Sequence, residues 1–353
     1  MLIYILFFIL NILAGALFIP SWRNGKKIYL WFTFIEMALL GGLRGISVGT
    51  DTVAYHDIFY KIEYVNTLSG LLNLREEFGY VIINKVVALL GGGPQLVIFI
   101  CSAFIAGGFI LFIAKHSDNV FFSCFLLITL MLYFTSFNVI RQYMATVVII
   151  NGFTFLKNKQ IFRYVLICLL AGLFHSTAVL WVFLGFVPLV KWNASKIIWL
   201  MVAMFLVVVF ARQIIDLIVK ILPQYASYLE GKYFQPSKGI MMPVVYCAIF
   251  FAVTFILAIA RPYDKQDLIY IYVISALTLM LTLVGLTTAS IADRLAWYVS
   301  PFLVLLIPKA TAYLPKSGET VMQLAIGAAG IAYFIYCLTI NWQGIMPYVF
   351  YWN

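Results

Sequence analysis

Five side chains in this sequence have the type and setting to act on a substrate: Arg44, Asp51, Arg141, His175 and Arg294. Arg141 carries the strongest signal, because it sits in SFNVIRQYMA, residues 136–145, between two apolar segments. An arginine that close to hydrocarbon costs about 2.5–3.5 kcal/mol even on the lenient insertion scale, so it is normally kept for an anionic partner or a task. Asn138 stands three positions before it and Gln142 one after. At a helix start, Asn138 and Gln142 share a face with Arg141 beside them, and the three supply donors suited to phosphate oxygens. A guanidinium snorkelling to the lipid headgroups is the competing explanation.

The other candidates are weaker singly. Arg44 ends an apolar run in GGLRGISVGTDTVAYHDIFY, residues 41–60, where glycines let backbone approach an anion and Thr50 adds a hydroxyl. The GxxxxGK[ST] spacing of a nucleotide-binding loop is absent. An arginine at a helix C-terminus followed by an ordinary turn is the alternative. Asp51 equally suits an Asx-turn or the N-cap of a helix beginning near Tyr55. His175, in AGLFHSTAVLW, offers an imidazole that accepts or shares a hydroxyl proton near neutral pH, or serves as a structural hydrogen-bonding group. No second His or Cys stands at ligand spacing, so no zinc is expected. Arg294 follows Asp293 directly, and adjacent residues do not share a helix face, so the aspartate need not neutralise it. Glu77 precedes a short apolar segment and is either a substrate ligand or a solvated carboxylate. Glu36, inside an apolar run, is expected to pair with Lys85 or an arginine.

The elements that position these residues follow from composition. The chain has 353 residues, 64% hydrophobic and 10% charged, against roughly 25% charged in soluble domains. Several runs approach the ~20 residues that cross hydrocarbon as a helix, and the ~10-residue alternating segments of a β-barrel are absent. An all-α polytopic integral membrane protein is the fold class, forming a single transmembrane domain over 1–353. The first apolar run lacks a basic leader and reads as a retained helix. The five cysteines lie in apolar runs without paired spacing, so no disulfide framework is expected. The net charge of +10 is scattered through short loops, which argues for topology rather than nucleic acid.

With the SWRNGKK loop on the cytoplasmic side, hydropathy draws twelve crossings, at 1–20, 28–43, 94–114, 120–136, 140–156, 162–174, 177–190, 196–211, 240–260, 268–288, 296–312 and 320–340. Both termini then lie outside. Thirteen of the 23 basic residues, among them Arg23, Lys115, Lys157, Arg163 and Lys309, fall in short cytoplasmic loops, as the positive-inside rule expects. The segment 79–93 contains Lys85 and ends in three glycines; it is read as re-entrant or interfacial. The pair 162–174 and 177–190 is a tight hairpin or one helix broken at His175. Two longer polar loops, 44–78 and 212–239, face outside. On this topology the five candidates meet at one outer face.

The motifs RGISVGTDTVAY (44–55), EEFGYVIIN (76–84), FNVIRQYMA (137–145), LFHSTAV (173–179) and ADRLAWY (292–298) give the chain a family resemblance. It resembles the EpsG-like branch of bacterial exopolysaccharide and O-antigen polymerases, often called Wzy polymerases. The FNVIRQ element followed about thirty residues later by the histidine is the most specific part of the match. The resemblance implies a glycosyltransferase of the bacterial cytoplasmic membrane that works on its outer face. Such an enzyme moves a growing glycan from undecaprenyl diphosphate to the non-reducing end of an incoming lipid-linked repeat unit. It needs no metal, nucleotide sugar or other cofactor, and its partners are the two lipid-linked oligosaccharides, with a chain-length regulator and a flippase as further candidates. Arginines held at low dielectric stabilise the charge that develops on a diphosphate leaving group. Arg44, Arg141 and Arg294 are therefore the expected diphosphate clamps, with Asn138, Gln142, Thr50 and Glu77 in the substrate site. Asp51 or His175 orients or deprotonates the acceptor hydroxyl. A flippase for lipid-linked sugars, an outer-face ligase and an acyltransferase are the alternatives; clustering of polar residues at one membrane face, rather than around a midplane site between repeated halves, favours an enzyme over a transporter.

Overall fold

A chain in hydrocarbon must satisfy its backbone N–H and C=O groups internally, so the apolar runs of this sequence fold as helices. The computed structural model describes residues 1–221, 234–237, 239–262 and 265–353, and is helical throughout except for turns and one isolated backbone bridge between Arg44 and Phe350. In chain order the helices are α1 (Leu2–Ser21), α2 (Gly25–Gly42), α3 (Thr52–Glu63), α4 (Leu68–Leu72), α5 (Phe78–Leu89), α6 (Pro94–His116), α7 (Val120–Thr129), α8 (Leu132–Thr135), α9 (Ile140–Asn151), α10 (Phe153–Lys157) and α11 (Ile161–Gly172). A 3₁₀ helix at Ser176–Leu189 leads to α12 (Ala194–Val209), α13 (Ala211–Ile221), α14 (Met241–Ala260), α15 (Gln266–Thr287), α16 (Ile291–Val299), α17 (Leu303–Thr311) and α18 (Lys316–Thr339).

Among the described residues, six helical segments are long and apolar enough to cross a bilayer: α1, α6, α14, α15, the run Ile291–Thr311 and α18. A seventh results if α12 and the start of α13, bent by 72° from each other, form one span. Large apolar side chains such as Leu13 and Leu17 of α1 and Phe251 and Phe255 of α14 are exposed, as lipid-facing positions are. The chain is a multi-pass membrane protein. The twelve crossings expected from hydropathy are not all matched by full-length helices. α7, α11 and the 3₁₀ helix have 10, 12 and 14 residues, short of the ~20 of a straight span. The 18 residues of α2 include Lys26, Lys27 and Glu36. Hydropathy merges a short helix with the apolar turn beside it and so overstates helix length.

The stretch 44–78, expected as a loop, is about half helical through α3 and α4. The segment 79–93 is the 12-residue α5 and a glycine turn. Most of the second expected loop, residues 222–233 and 238, lies outside the described residues; its start is α13.

The helices form two compact units. The first comprises Met1–Thr154, Ile161–Val182 and Gly327–Asn353, and the second Phe155–Gln160 and Phe183–Ile326. Within the first, α2 packs on α1 and α6, and α6 on α9. A polar relay stitches α1 to α2: Tyr29 Oη donates to Asn11 Oδ1 at 2.8 Å, and Asn11 Nδ2 donates to Thr33 Oγ1 and Glu36 Oε2, each at 3.0 Å. Glu36 is thus served by an asparagine rather than by the expected Lys85. α5 packs on α3, and there Lys85 Nζ donates to the Glu63 carbonyl at 2.9 Å. Between α7 and α9 the backbone breaks, with Met131 in the left-handed region at φ 60°. Residues 122–140 are all buried, the condition under which irregular backbone is tolerated in a membrane protein. In the second unit α15 packs against α12, α14 and α16.

Candidate active site

The start of α9 is fixed by groups distant in sequence. Arg44 is fully buried, and its guanidinium donates to the carbonyl of Gly41 at the end of α2, to Ser102 Oγ of α6 at 3.1 Å and to the carbonyl of Phe137 at 3.1 Å. The same guanidinium lies 4.6 Å from the centroid of the Phe137 ring, within cation–π range. Arg44 therefore serves the Gly41 carbonyl at the C-terminal end of α2 and ties that end to the turn before α9. Asn138 fixes the turn from another side: its Oδ1 accepts the backbone N–H of Thr50 at 2.7 Å, and its Nδ2 donates to both the carbonyl and Oε1 of Gln343, each at 2.7 Å. Gly49, at φ +95°, admits this approach; a Cβ there would lie 2.6 Å from Asn138 Oδ1.

Held in this way, α9 begins at Ile140 and carries Arg141 in its first turn. A cation there opposes the helix dipole, and it is balanced by a carboxylate: Arg141 Nη1 lies 2.5 Å from Glu77 Oε2. Glu77 reaches further, because its Oε1 lies 2.8 Å from His175 Nδ1 and 3.4 Å from the backbone nitrogen of Ser176, which donates to it. One carboxylate thus bridges an arginine and a histidine, and all three side chains are partly accessible, at 27% for Arg141, 15% for Glu77 and 25% for His175. The bridge is possible because Glu77 is the residue before α5, where Gly79 N donates to the carbonyl of Leu173 at 2.8 Å. That contact brings the start of α5 to the break between α11 and the 3₁₀ helix, which is where His175 sits. Burial pushes the Glu77 carboxyl up, but the hydrogen bond from His175 and the positive charge of Arg141 outweigh it and hold the group at about 2.

Two tyrosines line the same cluster. The Arg141 guanidinium lies 5.9 Å from the centroid of the Tyr80 ring, and Tyr80 packs edge-on against Tyr55, with centroids 5.7 Å apart. The Tyr55 hydroxyl faces the backbone amides of Ile140 and Arg141. Burial, the largest influence on it, pushes this hydroxyl up to about 12.

Asp51 stands at the N-cap of α3, which begins at Thr52 rather than near Tyr55, and its side chain makes no capping bond. Its Oδ1 instead accepts from Thr50 Oγ1 at 3.0 Å. Of the residues singled out from sequence, Arg141, Glu77 and His175 come together, and Thr50, Asp51 and Asn138 form a second group joined to them through Tyr55 and the start of α9. Arg44 sits beneath the turn with both terminal guanidinium nitrogens committed to protein acceptors. Asn138 precedes α9 and so does not share a helical face with Gln142; the chain is still turning there because its carboxamide serves Thr50 and Gln343. Gln142 is buried. Arg294 lies on α16 in the second unit.

Sequence alone did not reveal Glu77 as the bridge, the two tyrosines or the C-terminal segment. Tyr4 Oη donates to the carbonyl of Ile345 at 2.7 Å, Gly49 N to that of Gly344 at 2.9 Å and Gly45 N to that of Val349 at 2.7 Å. Residues 341–353 thereby lie against the loop that carries Thr50 and Asp51. The alternating aromatics of this segment, PYVFYW, were the available sign of an ordered end.

A family model, described as the EpsG family, matches residues 27–350. No curated protein sequence and no solved structure gives a significant match.

Proposed function

Since the chain belongs to the EpsG family, a Wzy-like polymerase family, we propose that it is a polysaccharide polymerase that transfers a growing glycan from undecaprenyl diphosphate to the non-reducing end of a lipid-linked repeat unit. The reaction runs at the outer face of the cytoplasmic membrane. The observation that carries this assignment is the bridging carboxylate: Glu77 holds Arg141 at 2.5 Å and His175 at 2.8 Å. A carboxylate facing His175 Nδ1 selects the tautomer with the proton on Nδ1 and leaves Nε2 as the proton acceptor. His175 then takes the proton of the acceptor hydroxyl as that oxygen attacks the anomeric carbon of the donor. Glu77 stabilises the imidazolium so formed, as a carboxylate does in nucleophile–base–orienter triads.

Arg141 commits one nitrogen to Glu77 and retains others for the diphosphate. Negative charge grows on that leaving group as the glycosidic bond breaks, so donors already in place stabilise the transition state more than the ground state. Arg44 acts indirectly, by holding the Phe137 carbonyl and with it the start of α9. Asp51 and Thr50 belong to the binding of the acceptor sugar.

The test is the glycan profile of cells whose only copy is Arg141→Ala. Long polymer should be lost while single repeat units still reach the outer face and the protein remains inserted. Normal chain-length ladders would remove Arg141 from the reaction, and repeat units retained on the cytoplasmic leaflet would favour a flippase.

A further inference from the structure

The orientation of one side-chain amide on the C-terminal segment is dictated by backbone chemistry. A peptide N–H only donates, so the Thr50 N–H at 2.7 Å requires the atom of Asn138 facing it to be the oxygen. The other arm of Asn138 is then its NH₂ group, and the atoms that receive it at 2.7 Å, the carbonyl and Oε1 of Gln343, must be acceptors. The chain of donors and acceptors leaves the Gln343 Nε2 group as a donor with no hydrogen-bond partner among the described residues.

Gln343 is held in this pose at a cost. Asn341, Gln343 and Gly344 all have positive φ, at 50°, 65° and 64°, and a left-handed non-glycine residue persists only where its surroundings over-determine it. The fixing contacts are the Asn138 bonds, the Gly49 N–H on the Gly344 carbonyl at 2.9 Å and the Asn341 Oδ1 that accepts from Met346 N at 2.7 Å. Gly344 packs on Thr50; a Cβ on it would lie 3.0 Å from Thr50 Cγ2. Thr50 in turn donates its hydroxyl to Asp51. A fixed amide donor, tied to Thr50 through Asn138, and a carboxylate acceptor, tied to Thr50 directly, therefore belong to one hydrogen-bonded group, and both Gln343 and Asp51 are partly accessible. A sugar hydroxyl both donates and accepts, and an amide donor beside a carboxylate matches that pattern.

We infer that the C-terminal segment completes a carbohydrate subsite in which Gln343 Nε2 donates to a hydroxyl of the acceptor repeat unit while Asp51 accepts from the same sugar. This deepens the polymerase assignment and rests on it for the role of the bound sugar. Gln343 is a specificity-determining residue of this subsite, and Asn138 is its positioning residue.

The discriminating variant is Gln343→Glu. It keeps an oxygen facing Asn138 and replaces the free donor with an anionic acceptor. The probe is the lipid-free oligosaccharide released by mild acid from the cell's own lipid-linked repeat units, titrated against the full chain in detergent micelles. Binding is read directly and without turnover. The wild-type protein should bind it, and Gln343→Glu should weaken binding about fivefold, the worth of one hydrogen bond, with an unchanged melting temperature. Asn138→Ala, which frees the amide to turn, should weaken binding at least as much. Failure of the wild type to bind, or equal binding by wild type and Gln343→Glu, would overturn the subsite. Polymer formation is measured separately, so a protein that binds the sugar but makes no polymer would contradict the polymerase assignment and leave the subsite standing.

Discussion

At the residue scale the decisive group is Glu77. Arg141 alone would be a costly cation at the positive end of a helix dipole and close to hydrocarbon. Glu77 offsets that cost, and because it also faces His175 the pairing orients the imidazole proposed as the base as well as neutralising a charge. The carboxyl is held at about 2, below its ordinary 4.5. A group depressed on folding adds stability that is present above its unfolded value and lost as the pH falls through the folded one. The melting temperature of the purified protein should therefore carry a Glu77 contribution that declines as the pH falls from about 4.5 to about 2. In Glu77→Gln that part of the pH dependence should disappear, and thermal melting across the range measures it. Arg141 and His175 were legible in the sequence because each interrupts an apolar run. Their meeting was not, since Glu77 is 98 positions from His175 and 64 from Arg141, and no local pattern encodes contacts across such distances.

At the scale of elements, the site depends on a helix that is broken on purpose. Hydropathy reads 120–136 and 140–156 as two spans, whereas the chain forms four short helices there, α7, α8, α9 and α10, the first three around buried turns. Apolar composition reports that a segment is out of water; it does not report where backbone carbonyls are taken up by side chains instead of by the next turn. Arg44 is such a side chain. Its type and place at the end of an apolar run were visible in the sequence, but its commitment to Gly41, Ser102 and Phe137 requires α2, α6 and the turn before α9 to meet. Arg44→Met should leave these three acceptors without their donor and destabilise the first unit by at least about 3 kcal/mol, at roughly 1–3 kcal/mol per buried polar group left unmade. Arg44→Lys should rescue it only in part, because an ammonium cannot present the planar fork that reaches separate acceptors. Chemical denaturation in mixed micelles compares the variants.

At the scale of the whole molecule, the match over residues 27–350 includes segments of both compact units and the C-terminal segment. Composition alone made the membrane setting plain, since 64% hydrophobic residues leave no soluble arrangement. The number of crossings was less legible, because short helices and turns of equal hydropathy look alike. A polymerase of this design needs a base, an oriented leaving group and a place for the acceptor sugar, and the first unit supplies candidates for each from loops and helix ends. The most direct test of the Glu77–His175 assignment is the initial rate of glycan transfer by purified protein given lipid-linked repeat units, compared among wild type, His175→Ala, Glu77→Gln and the double variant. If Glu77 works through His175, each single variant should lose about 10²–10⁴ in rate and the double little more, since general-base catalysis contributes that much and coupled groups are not additive. A His175→Ala enzyme that stays folded and transfers glycan within a few-fold of wild type would contradict the assignment.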